Sequence, residues 1–539
     1  MTQPLQPVRM CAEWEPVRGT LIRWPLGIPW ILVVELAEED SLYFLVENEM
    51  QQNQAYYGII AAGANLDHCR FIMADTYSHW TRDWGPVSIF DGNGEWSIVD
   101  PIFQGYPWVP GGDPLCNRDW EEDNMVNAAL AEYFSCQLFQ LPAFLTGGNI
   151  MVDGHGTAFS TLQMLNENLQ LMDEDTFFSL TEAYCGITTY HIVNNIEDFG
   201  IQHIDCAAKL VDEETVIIKQ LPAWHPEYQR IELVAHQFME LENCWGRPYR
   251  IFRIFCDVYE GNNAAAYTNA LILNSKVLVP LFNIDADTAA LQTYQDAMPG
   301  YEINGIYYED WYYYDALHCR TRGIFDRYML HLSHRPLDQE QPPGEEHEIL
   351  CLIDDRSESG LIPDELLLCW RHSGNTTWNQ VMLQETFMAD TFSAAIPGAS
   401  PGTSVEYYIS AADYSGRQET LPRCAPAAFF SFTVAETGAE PMLFFEANFS
   451  LRNYPNPFGG TSSRFPGTWF SFHLPVTQKV AIKIFNISGE LVGTACNCLM
   501  NRGYHNVFWQ PSSTLGSGIY IYQMKTETEN ISGKCLLLE

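Results

Sequence analysis

Leu271-Ile272-Leu273-Asn274-Ser275-Lys276-Val277-Leu278-Val279 sets two short apolar runs on either side of an Asn-Ser pair. Apolar runs of strand length around polar turn residues read as a β-hairpin. The arrangement recurs upstream. Asp91-Gly92-Asn93-Gly94 reads as a hairpin turn followed by the strand Trp96-Ser97-Ile98-Val99, and Asp153-Gly154-His155-Gly156 reads as another turn. Between the hairpins, residues 227–242 carry apolar side chains at helical spacing. Hairpins interleaved with helices predict a repeated ββαβ unit, and so an α/β fold, for the first part of the chain.

Leu337-Asp338-Gln339-Glu340-Gln341-Pro342-Pro343-Gly344-Glu345-Glu346 interrupts that pattern with paired prolines, a glycine and several charges, the composition of a linker. Beyond it only short strands and turns are expected, such as the strand Val405-Glu406-Tyr407-Tyr408-Ile409 and the turn Asp413-Tyr414-Ser415-Gly416. A softer linker lies at Ala435-Glu436-Thr437-Gly438-Ala439-Glu440-Pro441, ahead of the strands Val480-Ala481-Ile482-Lys483-Ile484-Phe485 and Gly518-Ile519-Tyr520-Ile521-Tyr522. A chain of 539 residues should hold about three domains. They are expected at 1–337 (α/β), 347–435 (β-sandwich) and 445–539 (a second small β domain).

The formal charge is −40, from 68 acids against 28 bases, which disfavours a nucleic-acid partner. An acidic surface either draws in cationic substrates or only keeps the chain soluble. The 15 cysteines form no CxxC pair and no zinc-type spacing; most read as small buried hydrophobes, with Cys351 and Cys369 a candidate bridge within one β domain. The start, Met1-Thr2-Gln3-Pro4-Leu5-Gln6-Pro7, shows no basic segment before an apolar core, and the apolar stretch Gly27 to Leu36 is too short to span a bilayer. The expectation is a cytoplasmic protein, or a secreted or surface one whose leader is missing from the sequence.

Cys319 stands in Tyr314-Asp315-Ala316-Leu317-His318-Cys319-Arg320-Thr321-Arg322, beside a histidine and two arginines in a chain with few cations. A thiol attacks as the thiolate, which nearby cations favour. Three polar clusters precede it. In Trp80-Thr81-Arg82-Asp83-Trp84-Gly85-Pro86 the aspartate reads either as a carboxylate in a pocket or as a helix or turn cap. In Gln202-His203-Ile204-Asp205-Cys206 a strand would put His203 and Asp205 on one face, as an acid/base beside a carboxylate, as metal ligands or as a polar edge. In Ala266-Tyr267-Thr268-Asn269 the asparagine enters an apolar hairpin, where a turn role is equally open. Jointly, a thiolate, a histidine and two carboxylates can hydrolyse a guanidinium group. The carboxylates hold the planar cation, the thiolate attacks its carbon, and the histidine protonates the departing ammonia and then activates water. A cysteine peptidase would call for no second carboxylate.

Taken in order, these segments resemble the agmatine deiminase and bacterial peptidylarginine deiminase family. The matches are Ala12-Glu13-Trp14-Glu15-Pro16, Trp80 to Pro86, Thr146-Gly147-Gly148-Asn149-Ile150-Met151-Val152-Asp153-Gly154, His203 to Cys206, Tyr267-Thr268-Asn269, and Asp315 to Arg320; together they cover roughly residues 10 to 335. The resemblance implies a five-bladed α/β propeller with the site on its axis, followed by two small all-β, immunoglobulin-like domains. It implies Cys319 as nucleophile, His203 as acid/base, Asp83 and Asp205 as guanidinium ligands, and Asn269 as an orienting group. Trp80 would pack on the substrate's aliphatic stem, with Ile201 as a further substrate contact. Neither metal nor organic cofactor is implied.

Within the family, Asp315-Ala316-Leu317-His318-Cys319-Arg320 and the absence of a glycine-rich run before the cysteine look like the peptidylarginine branch. The substrate would then be an arginine-containing peptide, with agmatine or free arginine as the small-molecule alternative. An inactive surface-attached binding protein is the alternative of another class. The final region, with Asn453-Tyr454-Pro455-Asn456-Pro457-Phe458, Ile484 to Glu490 and Ser517 to Tyr520, resembles type IX secretion sorting modules and flagellar-hook-like domains, which implies secretion machinery as a partner. Two positions depart from the pattern. Residues 101–110 contain no arginine that could clamp a substrate carboxylate, and Gly200 stands where an aromatic contact would be expected. Both count against a dedicated preference for C-terminal arginine.

Overall fold

The computed structural model describes residues 2–109, 120–197, 200–436, 452–454, 468–474, 478–500, 503–512, 515–526 and 530–537. The chain divides into two units, Met1–Glu436 and Thr437–Glu539.

In the first unit the hairpin-helix-strand pattern repeats. Leu271–Leu273 pairs antiparallel with Lys276–Leu281, the helix Ala286–Ala297 crosses over, and Glu302–Tyr307 returns parallel to the second strand. The same order holds for Val87–Phe90, Trp96–Ile102, the helix Glu121–Phe134 and Gln137–Phe144. It holds again for Met151–Val152, Thr157–Thr161, the helix Glu174–Cys185 and Thr189–Val193. A third repeat runs through Ala208–Leu210, Thr215–Gln220, the helix Tyr228–Met239 and Arg250–Phe255. A parallel return needs a crossover, which is why a helix follows each hairpin. The fifth sheet joins distant sequence: Arg322–Phe325 pairs antiparallel with Val17–Arg23, which continues parallel to Ser41–Val46 and Cys69–Met73.

Burial follows the sequence pattern. Lys276–Leu281 is buried at five successive positions, as a strand covered on both faces must be. The helix expected at 227–242 spans Tyr228–Met239 and buries Ile231, Val234, Ala235 and Phe238, one face at i, i+3, i+4 and i+7. The apolar stretch Gly27 to Leu36 contains a short helix, Trp30–Leu36, which buries Leu32, Val33 and Leu36. No helix among the described residues is long and apolar enough to cross a membrane.

The rest of the first unit is β-rich. Leu330–Ser333, His347–Asp355, Thr391–Ile396 and Gln384–Glu385 form one sheet. Glu340–Gln341, Phe430–Val434, Ser404–Ala412, Leu367–His372 and Asn379–Met382 run through a second. They enclose a core of Ile349, Ile353, Leu368, Tyr407 and Phe432, and His347–Asp355 alternates buried and exposed residues at period two. The strand Leu330–Ser333 belongs to this core although it precedes the proline-rich linker. Cys351 and Cys369, the candidate bridge, are both free thiols, one on His347–Asp355 and the other on Leu367–His372.

In the second unit Gln478–Phe485 pairs antiparallel with Leu491–Met500 and Gly518–Lys525, over a core that includes Val480, Ile482, Ile484, Tyr520 and Tyr522. Most of the second linker and most of Asn453 to Phe458 lie outside the described residues.

Candidate active site

Five sheets of the α/β region each deliver one polar loop from the residues just ahead of one of their strands. Asp83 precedes Val87–Phe90, Gly148 precedes Met151–Val152, and Asp205 precedes Ala208–Leu210. Asn269 precedes Leu271–Leu273, and Cys319 precedes Arg322–Phe325. A repeated unit thus presents five different loops to one place.

Gly148 marks that place. A Cβ on it would stand 2.6 Å from His203 Nδ1, 2.7 Å from Asp83 Oδ1 and 3.2 Å from Asp205 Oδ2. Only a residue without a side chain lets these three groups converge. The Gly148 N–H itself donates to Asp83 Oδ1 at 3.0 Å, and His203 Nδ1 lies 3.5 Å from the same oxygen. The Tyr106 hydroxyl donates to Asp83 Oδ2. Asp83 sits in the one-turn helix Thr81–Trp84, where it is a buried carboxylate among donors rather than a cap.

His203 and Asp205 do not lie on a strand. Ile204–Cys206 is a 3-10 turn, and His203 is the extended residue before it. The turn wins because its backbone is held from outside. Asn149 Oδ1 accepts from Ile204 N at 3.1 Å, and Thr161 Oγ1 donates to Gln202 O at 2.5 Å. Gln202 takes a positive φ of 61°, and its side-chain oxygen accepts from Ile196 N and Glu197 N at 3.0 and 3.1 Å. The two residues meet in the same site by turning, not by alternation.

Asn269 joins the acid to the thiol. Its Nδ2 donates to Asp205 Oδ2 at 3.1 Å and to Cys319 Sγ at 3.3 Å, while its Oδ1 accepts from the backbone N–H groups of His318 and Cys319 at 3.0 and 3.3 Å. Both nitrogens of His203 are buried without a hydrogen-bond partner among the described residues, which leaves them available to a reacting group. Trp80 packs edge-on against Tyr106 at 5.5 Å. Ile201 is buried within the main apolar core.

The electrostatics differ from the sequence expectation. Arg320 commits its guanidinium to both oxygens of Asp315, each at 2.9 Å, and to Gly27 O at 2.7 Å. Arg322 donates to Pro86 O at 3.1 and 2.7 Å. Burial pushes the Cys319 thiol well up, and Asp205, Asp315 and Asp83 push it further; the Asn269 donor works the other way. The two adjacent arginines are held by carboxylate and carbonyl partners, and at the sulfur they are outweighed by burial and the surrounding carboxylates.

The carboxylates are set apart from each other. Burial raises Asp83 to about 6, against the pull of His203, Tyr106 and Gly148. Asp205 is equally buried, yet the hydrogen bond and charge of His318, with help from His203 and Lys209, bring it below its ordinary value. His318 Nδ1 is 2.7 Å from Asp205 Oδ2, and its Nε2 is 2.8 Å from Glu13 Oε2. Glu13 also accepts from Lys209 Nζ at 2.8 Å. Glu13, Tyr106, Gly148 and Lys209 had no role from sequence. Glu13 and Gly148 lay inside matched motifs, while Tyr106 and Lys209 carried no local signal. Among the described residues no group of three or more His, Cys, Asp or Glu is arranged to hold a metal ion.

The chain is similar to known proteins. A proposed agmatine deiminase of Shewanella frigidimarina is 26% identical over 268 residues, 44% of this chain and 71% of its own length. The solved structure of Enterococcus faecalis agmatine deiminase, at 18% identity, aligns over 59% of this chain and 96% of its own with a TM-score of 0.53. That of a serine variant of the C. jejuni agmatine deiminase with substrate bound aligns over 60% and 99% at 17% identity and a TM-score of 0.51. At such identities the two structures establish a shared mixed α/β fold. The profile of the Porphyromonas-type peptidyl-arginine deiminases matches residues 9–324, more than half of the sequence, and the chain therefore belongs to that family of guanidino-group deiminases.

Proposed function

We propose that the chain hydrolyses the guanidinium group of arginine side chains in peptides to citrulline, with release of ammonia. The observation that carries the reading is the meeting of His203, Asp83 and Asp205 within 3.2 Å of one point beside Gly148, with Asn269 tying Asp205 to Cys319 Sγ. Two carboxylates on opposite sides of a planar cation can each accept its N–H groups.

The substrate's positive charge then stands next to the sulfur and offsets the carboxylates that disfavour the thiolate. The Cys319 proton leaves to His203, and Sγ forms a bond to the guanidinium carbon. His203 returns a proton to one nitrogen, the C–N bond breaks, and ammonia departs from an S-linked amidino intermediate. Water, deprotonated by His203, attacks the same carbon. The C–S bond breaks, leaving the ureido group of citrulline and the thiolate. Trp80 and Ile201 are assigned to the substrate's stem, and Asn269 to orientation of Cys319 and Asp205.

The five ββαβ sheets, with Arg322–Phe325 paired to Val17–Arg23, support reading the catalytic region as a five-bladed propeller. We assign 347–435 and 445–539 as immunoglobulin-like and sorting-type domains, and the protein to a secreted or surface location with secretion machinery as a partner. A cytoplasmic agmatine or free-arginine deiminase is the second reading, favoured by the name of the Shewanella relative. Ammonia release from blocked arginine peptides, C-terminal arginine peptides, free arginine and agmatine, measured side by side, decides between them. Agmatine turnover well above that of any peptide overturns the first reading. Tight guanidinium binding with no ammonia from any substrate would instead make the chain a binding protein.

A further inference from the structure

Tyr106 lies between the strand Trp96–Ile102 and the helix Glu121–Phe134, and only 6% of it is exposed. Its hydroxyl donates to Asp83 Oδ2, and the other Asp83 oxygen already faces Gly148 N at 3.0 Å and His203 Nδ1 at 3.5 Å. Its ring stands edge-on to Trp80 at 5.5 Å and lies 5.6 Å from the His203 ring. Tyr106 therefore touches the carboxylate assigned to the guanidinium, the aromatic wall assigned to the stem, and the acid/base.

We propose that Tyr106 is a specificity-determining residue that competes with the substrate for Asp83. Its phenol holds the Asp83 oxygen that the guanidinium must take, and its ring holds the surface of Trp80 that the alkyl stem must take. The inference rests on the deiminase reading of Asp83 and Trp80. A ligand that replaces Tyr106 has to supply both parts, a guanidinium N–H for the carboxylate and an apolar stem for the indole. A bare guanidinium ion supplies only the first. The recognised class is thus an alkylguanidinium, with discrimination against short guanidines arising from the displaced tyrosine. This differs from a donor that stays on Asp83 and shares it with the substrate, which would strengthen binding.

The test uses the full chain with Cys319→Ser, alone and with Tyr106→Phe, and measures calorimetric binding of Nα-blocked arginine amide and of guanidinium chloride. Competition predicts that Tyr106→Phe tightens blocked arginine amide about fivefold to tenfold, since one hydrogen bond to a charged acceptor no longer has to be broken. In the protein with Cys319 intact, KM falls by a similar factor. The acid limb of kcat/KM also moves to higher pH, because the phenol no longer favours the charged form of Asp83. Equal or weaker binding in the Phe variant, with a matching thermal midpoint, overturns the inference and leaves the deiminase reading standing. Failure of both proteins to bind either compound, with no ammonia from any substrate, overturns that reading and this inference with it.

Discussion

His318 bridges a buried and a half-buried carboxylate: Nδ1 is 2.7 Å from Asp205 Oδ2 and Nε2 is 2.8 Å from Glu13 Oε2. The residue beside the proposed nucleophile therefore has both ring nitrogens engaged and supports an acid that, by the proposal, faces the substrate. His318→Ala leaves Asp205 without its ring partner and Glu13 without another. We expect kcat/KM to fall roughly tenfold to a hundredfold, equivalent to about 1–3 kcal/mol of lost support. Steady-state ammonia assays check this, and an unchanged kcat/KM would remove His318 from the machinery. His318→Gln, which keeps one donor and one acceptor, should recover part of the loss.

Gly148→Ala puts a methyl group 2.6 Å from His203 Nδ1 and 2.7 Å from Asp83 Oδ1. Something must shift, and both neighbours are side chains held in a buried site. The expected outcome is a folded protein destabilised by about 1–3 kcal/mol. A displacement near 1 Å should cost it about a hundredfold or more in kcat. Urea unfolding together with single-turnover kinetics separates the two effects.

Asp83 is raised to about 6 in the folded protein from an ordinary value of 3.8. A raised acid holds its proton more tightly when folded. Its contribution to stability is therefore present below pH 3.8 and is lost as pH rises toward 6. Asp83→Asn avoids that loss, so it should be up to about 2–3 kcal/mol more stable than the parent at pH 7.5 and no more stable at pH 3.5, by roughly 1.4 kcal/mol per unit. It should also be inactive. Denaturant titrations at the two pH values check the crossover. In the parent, kcat/KM should fall on the acid side with a midpoint near 6.

Arg320 holds Asp315 through two parallel hydrogen bonds of 2.9 Å and stacks 5.2 Å above Trp311. A lysine keeps the charge and loses the fork. Arg320→Lys should lower stability by about 1–3 kcal/mol. The pH dependence of Cys319 alkylation should stay where it is, because lysine keeps the charge near the sulfur. Arg320→Gln removes that charge, and a clear rise in the pH of half-alkylation in that variant would show that Arg320 favours the thiolate.

Much of this site was legible as sequence. Asn274-Ser275 between apolar runs is a local hairpin signal, and local signals survive folding because they depend on neighbouring residues alone. Asn269 was identifiable because it enters such a hairpin, Asp83 by its place among aromatics before Gly-Pro, and Cys319 by its histidine and arginine neighbours. The expectation of a strand at His203 to Asp205 failed for the opposite reason. Asn149 and Thr161, distant in sequence, hold that segment as a turn, and no window around His203 contains them.

The sequence by itself determined the repeated hairpin-helix-strand units, the residue types ahead of the strands that deliver the site, and a strongly acidic chain. Only the tertiary structure decided which charges meet. It drew Arg320 to Asp315 and Arg322 to Pro86, placed His318 between Asp205 and Glu13, and set the Tyr106 hydroxyl on Asp83. The physical reason is that pairing and burial depend on distances across the fold, between residues from five to 305 positions apart.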